Sequence, residues 1–300
     1  MHRQSEQLQP EVCVDETAFL PIVADLAGIR ELTNSDTKGT LAFLSIKPVH
    51  TVVMTSFIND NGIESELNRG KHFGYRNAQG ELEGVALIGH STLVEARSEK
   101  ALIALAHTAR KSATPIHLVM SSGDAATRFW SYLANGAAPR LTCREALFET
   151  AFPFAVPSRE AGLRNATLSE LLPVAEAQAE VAFIESGVDP MLRDREGFLK
   201  RVARRIEQDR VFVVFDGDEL VFKADIIAET EECIYLEGIY VGERFRGQGV
   251  GPRCLSNLTI DLLDRVSNVC MLNNVDFGSA HRSFAKAGFK RTDECVTLFV

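Results

Sequence analysis

The sequence predicts an α/β protein with mixed sheets, built as two copies of one unit. Three observations carry this. Short apolar, β-branched runs alternate with segments of helical period along the chain. A strand, a glycine loop and a helix start follow one another between Ile234 and Val266. The order of elements in the first half also recurs in the second.

In chain order, a polar stretch leads into an amphipathic helix expected over Thr17–Ile29, with a second from Asp36 through Phe43 to Ile46. Lys71–Tyr75 and Leu82–Gly89 flank a polar turn containing Gly80 and read as a hairpin. A helix over Ser98–Lys111 turns Leu102, Leu105 and Ala106 inward, a strand covers Ile116–Met120, and Asp124 caps a helix to Leu133. The second half repeats the pattern. Helices over Ser169–Glu185 and Arg195–Gln208 precede a hairpin of Val211–Phe215 and Leu220–Ile227. The strand Ile234–Val241, the glycine loop, a helix to Val266, the strand Val269–Leu272 and a helix over Ser279–Ala287 follow. Two prolines in Phe152–Arg159 interrupt regular structure, so the units are drawn at 1–155 and 156–300.

Composition narrows the class. With 300 residues, 45% hydrophobic and 24% charged, the chain suits two globular domains. A net charge of −9 argues against nonspecific nucleic-acid binding and against an anionic membrane surface, and mildly favours a cationic substrate. No apolar run reaches membrane-spanning length, and the polar first residues lack a signal-peptide core. Cys13, Cys143, Cys233, Cys254, Cys270 and Cys295 are scattered, as reduced core cysteines would be, and no metal-ligand cluster stands out. The expected location is cytoplasmic.

The most informative stretch is Arg246-Gly247-Gln248-Gly249-Val250-Gly251, between the strand and a helix whose first turn holds Pro252. Free N–H groups of a first turn, the helix dipole and glycines that permit close approach make an anion cradle suited to a pyrophosphate. An ordinary glycine-rich turn is the other reading. No Lys-Ser or Lys-Thr pair follows, which excludes a P-loop, and the glycine spacing is not that of a dinucleotide fingerprint.

This hexapeptide resembles the pyrophosphate-binding motif of the GCN5-related N-acetyltransferase (GNAT) superfamily. Ala280-His281-Arg282-Ser283-Phe284-Ala285-Lys286-Ala287-Gly288-Phe289 resembles its second signature, Ala, three residues, Tyr, three residues, Gly-Phe. The first copy passes from Val94 to the helix at Ser98 without any cradle. The chain is thus similar to tandem bacterial members with a degenerate first GNAT-like domain and a working second one. The resemblance implies acetyl-CoA as co-substrate, no metal, and an amine acceptor, small molecule or protein, served by a monomer or homodimer.

By that resemblance the main chain of Ile239, Tyr240 and Val241 faces the thioester and pantetheine arm. Arg246, Gly247, Gln248, Gly249, Val250 and Gly251 hold the pyrophosphate, and Asn274 and Phe284 border the same site. Acetyl transfer needs an amine stripped of its proton, aligned on the carbonyl, with the oxyanion stabilised. Glu237, a carboxylate in an apolar strand, is the candidate general base, with Tyr240 the nearest ionisable alternative. A cross-strand pair of Glu237 with Lys223 is the structural alternative. Asp189, Asp194 and Glu196 either meet an amine or stand as solvated helix-end carboxylates.

Phe284 stands where most family members carry the tyrosine that protonates the thiolate, leaving His281 or Ser283 to substitute. Three functions follow: an N-acetyltransferase acting by direct attack in a ternary complex, a silent CoA-binding regulatory module, or transfer of a longer acyl chain.

Overall fold

A computed structural model describes residues 25–151 and 162–300. The first half contains β1 (Ile29–Glu31), α1 (Thr37–Leu44), α2 (Pro48–Asn61), β2 (Gly70–Arg76), β3 (Leu82–Gly89) and β4 (Ser91–Ala96). It continues with α3 (Glu99–Ala109), β5 (Leu118–Ser122), α4 (Ala125–Leu133) and β6 (Leu141–Thr150). The second half contains β7 (Arg164–Asn165), α5 (Leu171–Ser186), α6 (Pro190–Arg193), α7 (Arg195–Glu207), β8 (Val211–Asp216) and β9 (Glu219–Glu229). It ends with β10 (Cys233–Val241), α8 (Val250–Leu263), β11 (Asn268–Asn274), α9 (Gly278–Lys286) and β12 (Lys290–Phe299). The repeat is visible element by element, down to a short strand ahead of each hairpin.

Every predicted element within the described residues is present except the end of the first helix, where Ile29 opens a strand instead. The rest of that helix and the linker at Phe152–Arg159 lie outside the described residues. Besides the short elements β1, β7 and α6, four longer ones, α2, β4, β6 and β12, were not foreseen. Helix α2 escapes a periodicity test because it buries Thr51, Val52, Met54, Ser56 and Ile58, mixing small polar with apolar residues instead of showing one apolar stripe. Its C-terminal part packs across β9, where Ser56 Oγ accepts the Glu229 N–H at 3.1 Å.

The described strands form one 12-stranded sheet in the order β1-β2-β3-β4-β5-β12-β6-β11-β10-β9-β8-β7. The last strands of the two halves are exchanged. Strand β12 pairs antiparallel with β5, Thr297 opposite Met120, and β6 pairs antiparallel with β11, Leu147 opposite Leu272. The exchanged strands also pair with each other, Thr297 opposite Cys143.

Strand alternation sends successive residues to opposite faces. On one face, Ile234, Leu236, Val269 and Met271 join Leu255 and Leu258 of α8 and Phe284 of α9 in the largest core cluster. On the other, Cys233, Tyr235 and Cys270 pack with Leu147 and with Val52 of α2, while Val211 and Val213 lie under α5 and α7. No described helix is long and apolar enough to cross a membrane.

Leu298 of β12, 2% exposed, belongs to the core formed by Leu102 and Leu105 of α3 and Phe129 of α4. Leu298→Ala is therefore expected to cost about 2–5 kcal/mol. Hydrogen exchange should show the loosening in α3 and α4 rather than in α8.

Candidate functional site

The site begins with a break in strand pairing. Strands β10 and β11 run parallel and pair only through Cys233, Ile234 and Tyr235, opposite Asn268, Val269 and Cys270. Beyond Tyr235 they diverge. On its other side β10 stays joined to β9, with Glu237 opposite Asp225 and Tyr240 opposite Lys223, and a register shift between. Gly238 makes that bulge, with φ +62, a region side-chain-bearing residues seldom adopt.

A buried lysine sits beneath the bulge. Lys223 Nζ donates to the Gly238 carbonyl at 3.1 Å and to Gln178 Oε1 at 2.5 Å, and pairs with Asp225 at 2.7 Å. Burial pushes its pKa below the usual lysine range, and the Asp225 charge opposes that shift. Arg205 of α7 reaches the same Asp225 at 3.1 Å. The cross-strand pair of Glu237 with Lys223 is not formed, because the bulge moves Lys223 into register with Tyr240.

The divergence opens a cleft of about 500 Å³. It is floored by Leu236, Glu237 and Ile239 on one strand and by Met271 and Asn273 on the other. The glycine loop and the start of α8 form one end. Gly247 and Gly249 adopt φ +77 and +76, and a Cβ on Gly251 would come 3.1 Å from Val241 Cγ2. Positive φ favours glycine at 247 and 249, and the close approach of Val241 favours it at 251. Gly249, Val250 and Gly251 line the cleft at the helix start, where first-turn amides have no intrahelical acceptor.

Of the residues singled out in the sequence, Glu237, Ile239, Val241, Arg246, Gly247, Gly249, Val250, Gly251 and Phe284 line this one cleft. Tyr240, Gln248 and Asn274 do not line it. The Tyr240 ring packs toward α5 and α7 with the Arg246 guanidinium 5.6 Å from its centre, and Gln248 Nε2 donates to the Arg244 carbonyl. Asn274 turns its Oδ1 to the Asp276 N–H and its carbonyl to His281 Nε2. Arg246 braces the strand end, donating to the Val241 carbonyl at 2.9 Å and pairing with Glu180 at 3.0 Å. Phe284 is 5% exposed and meets Phe148 edge-on, centroids 5.3 Å apart.

Two carboxylates escaped the sequence reading. Glu185, near the end of α5, lines the cleft with Glu237, and Glu145 of β6 acts on both through its charge. Burial raises Glu185 to about 8, with the Glu237 and Glu145 charges adding to it. Glu145 rises to about 7, mainly by burial, although a hydrogen bond with the Thr297 hydroxyl opposes the shift. Burial lifts Glu237 too, against the Arg205 charge. Neither acid had a local signal: Glu185 reads as a helix-end charge, and Glu145 joins the group only through strand exchange. The earlier candidates Asp194 and Glu196 are at the start of α7, where Asp194 caps the Gly197 N–H and Glu196 pairs with Lys200. Asp189 accepts the Met191 N–H at the start of α6.

Residues 175–289 match the model of the acetyltransferase (GNAT) family. The chain is similar to a GNAT-family acetyltransferase from Colwellia psychrerythraea, at 15% identity over 90% of this chain and 98% of that one, TM-score 0.57. It is also similar to a GCN5-related N-acetyltransferase from Sphaerobacter thermophilus, at 15% identity over 90% and 93%, TM-score 0.58. A tandem GNAT protein from the clavulanic acid biosynthesis pathway aligns at 15% identity over 90% and 98%, TM-score 0.54. No curated protein matches the sequence. At these identities the structural likeness speaks for the fold.

The raised carboxyls have a consequence for stability. Between the ordinary glutamate value of 4.5 and about 8, the unfolded chain releases the Glu185 proton while the folded chain keeps it. Rising pH therefore costs stability across that window. Glu185→Gln should remove the cost, raising the melting temperature at pH 8.5 by several degrees more than at pH 5 in paired thermal melts.

Proposed function

We propose that the protein transfers an acetyl group from acetyl-CoA to a primary amine, since residues 175–289 match the GNAT acetyltransferase model and the chain shares the fold of a tandem GNAT protein. The observation that supports this best is the divergence of β10 and β11 directly beside the glycine loop. A strand edge opened inside a sheet carries N–H and C=O groups that need partners. The amide-bearing pantetheine arm of coenzyme A supplies them, while its pyrophosphate meets the loop amides at the start of α8. Residues 156–300 are read as the working unit and residues 1–155 as the unit without a cradle.

The chemistry follows from the cleft. The amine arrives as a cation at Glu237, which lines the cleft beside Glu185. Glu237, its proton affinity raised by burial, takes a proton from the amine. The freed lone pair attacks the thioester carbonyl, and a β10 amide steadies the oxyanion. The C–N bond forms and the C–S bond breaks, and as the nitrogen sheds its second proton to give the amide, the coenzyme thiolate gains one. Phe284 has none to give. Of the two substitutes considered, Ser283 lines the cleft and His281 points Nε2 at the Asn274 carbonyl.

Two measurements test the reading. Glu237→Gln should lower thiol release from acetyl-CoA by about 10²–10⁴-fold without weakening coenzyme binding. Gly249→Val forces a β-branched residue to φ +76 and should abolish the heat of coenzyme A binding in calorimetry. Coenzyme binding with no thiol release across a wide amine panel would favour a silent binding module instead.

A further inference from the structure

Where the two halves meet, the chain gathers cationic and protonatable groups. Arg69, just before β2, accepts the His90 N–H at its carbonyl, 3.1 Å away. The rings of His90 and His117 lie with centroids 4.7 Å apart. Arg193, the last residue of α6, brings Nη2 within 3.4 Å of His117 Nδ1. Arg201 of α7 adds a third guanidinium, whose charge reaches both Arg69 and His90.

Like charges at this spacing repel, and little in the cluster offsets them. Asp194 pairs with Arg201 at 3.4 Å and spends its other oxygen on the Gly197 N–H. Among the described residues, neither Arg69 nor Arg193 has a carboxylate within salt-bridge distance. His90 Nδ1 is buried without a hydrogen-bond partner. Burial lowers the pKa of both imidazoles, and the neighbouring guanidinium charges lower it further. An anion among these groups would relieve the repulsion.

The cluster lies on the same run of structure as the cleft acids. The connection that begins after Glu185 ends at Arg193, and Arg140 at the start of β6 fastens it by donating to the Ser186 carbonyl at 2.9 Å. The His117 carbonyl accepts the Val300 N–H at 2.9 Å, and Thr297, bonded to Glu145, lies three residues earlier along that chain. At about 3.3 Å per residue, Thr297 and Val300 are roughly 10 Å apart along the chain, so the two groups are tied to one stretch of it.

Resting on the acetyltransferase reading above, we infer that the acceptor is a zwitterion. Its amine enters among Glu237, Glu185 and Glu145, and an anionic group, carboxylate or phosphate, binds at Arg69, Arg193 and the His90–His117 pair. An ω-amino acid or a short amino-terminated chain bearing a terminal phosphate has this form.

The test compares 6-aminohexanoate, 6-aminohexyl phosphate and hexylamine as acceptors, following thiol release from acetyl-CoA. At least one anionic acceptor should exceed hexylamine tenfold or more in kcat/KM, and the better of the two identifies the anion. Arg193→Gln combined with Arg69→Gln, both on exposed side chains, should erase that advantage through KM while leaving hexylamine turnover unchanged. Equal use of all three acceptors, or an equal loss on all three in the variant, would overturn the inference. Calorimetry with inorganic phosphate reads the cluster without any turnover. Binding by the parent, weakened tenfold in the double variant, supports the anion site even if no amine is acetylated, an outcome that sinks only the acetyltransferase reading. No binding of phosphate or 6-aminohexanoate by the parent sinks the anion site itself.

Discussion

One buried ammonium group holds the cleft in shape. Lys223 is fully buried, and a charge without water is tolerated only when it is paired and its hydrogen bonds are filled. Asp225 pairs with the charge, Gln178 and the Gly238 carbonyl accept its hydrogen bonds, and the last of these requires the bulge. The bulge in turn requires glycine, because a Cβ at Gly238 would fall 2.2 Å from Gln178 Oε1 and 2.7 Å from Lys223 Nζ. Lys223, Gln178 and Gly238 therefore act as one unit. Together they set where β10 shifts register as it parts from β11, and so where the glycine loop and Glu237 come to face one space.

Strand exchange makes that space a joint product of both halves. Strand β6 carries Glu145 from the first half to the flank of β11, within electrostatic reach of Glu185 and Glu237. Arg69, His90 and His117 also belong to the first half, while Arg193 and Arg201 come from the second. Through Glu145 the first half thus shapes the electrostatics around the cleft of the second. The acidic group of the cleft and the cationic group where the halves meet are separate features, each composed of residues distant in sequence.

Much of this was legible in the chain itself. The hairpins, the strand before the loop, the loop and α8 are local objects, and local chemistry declares them: glycine where φ is positive, proline where a first turn needs no N–H, apolar residues at the helical period. Glu237 stood out because a carboxylate within an apolar strand demands a reason. Strands β6 and β12 were missed because charged residues break their pattern, Arg144 and Glu145 in one and Lys290, Arg291, Asp293 and Glu294 in the other, and their partner strands lie far away in sequence. Helix α2 was missed because small polar residues are buried among its apolar ones, which erases the periodic signal.

The sequence alone determined the α/β class, the repeat and the strand–loop–helix that bears the glycines, since each depends on residues within one turn or one hairpin of each other. Tertiary structure alone decided which strands exchange, that Lys223 supports the bulge rather than pairing with Glu237, and that Glu145 and Glu185 join Glu237. The reason is physical. A one-residue shift in strand register reverses which face a side chain occupies, and no local preference reports a shift that is fixed by a buried charge from another element.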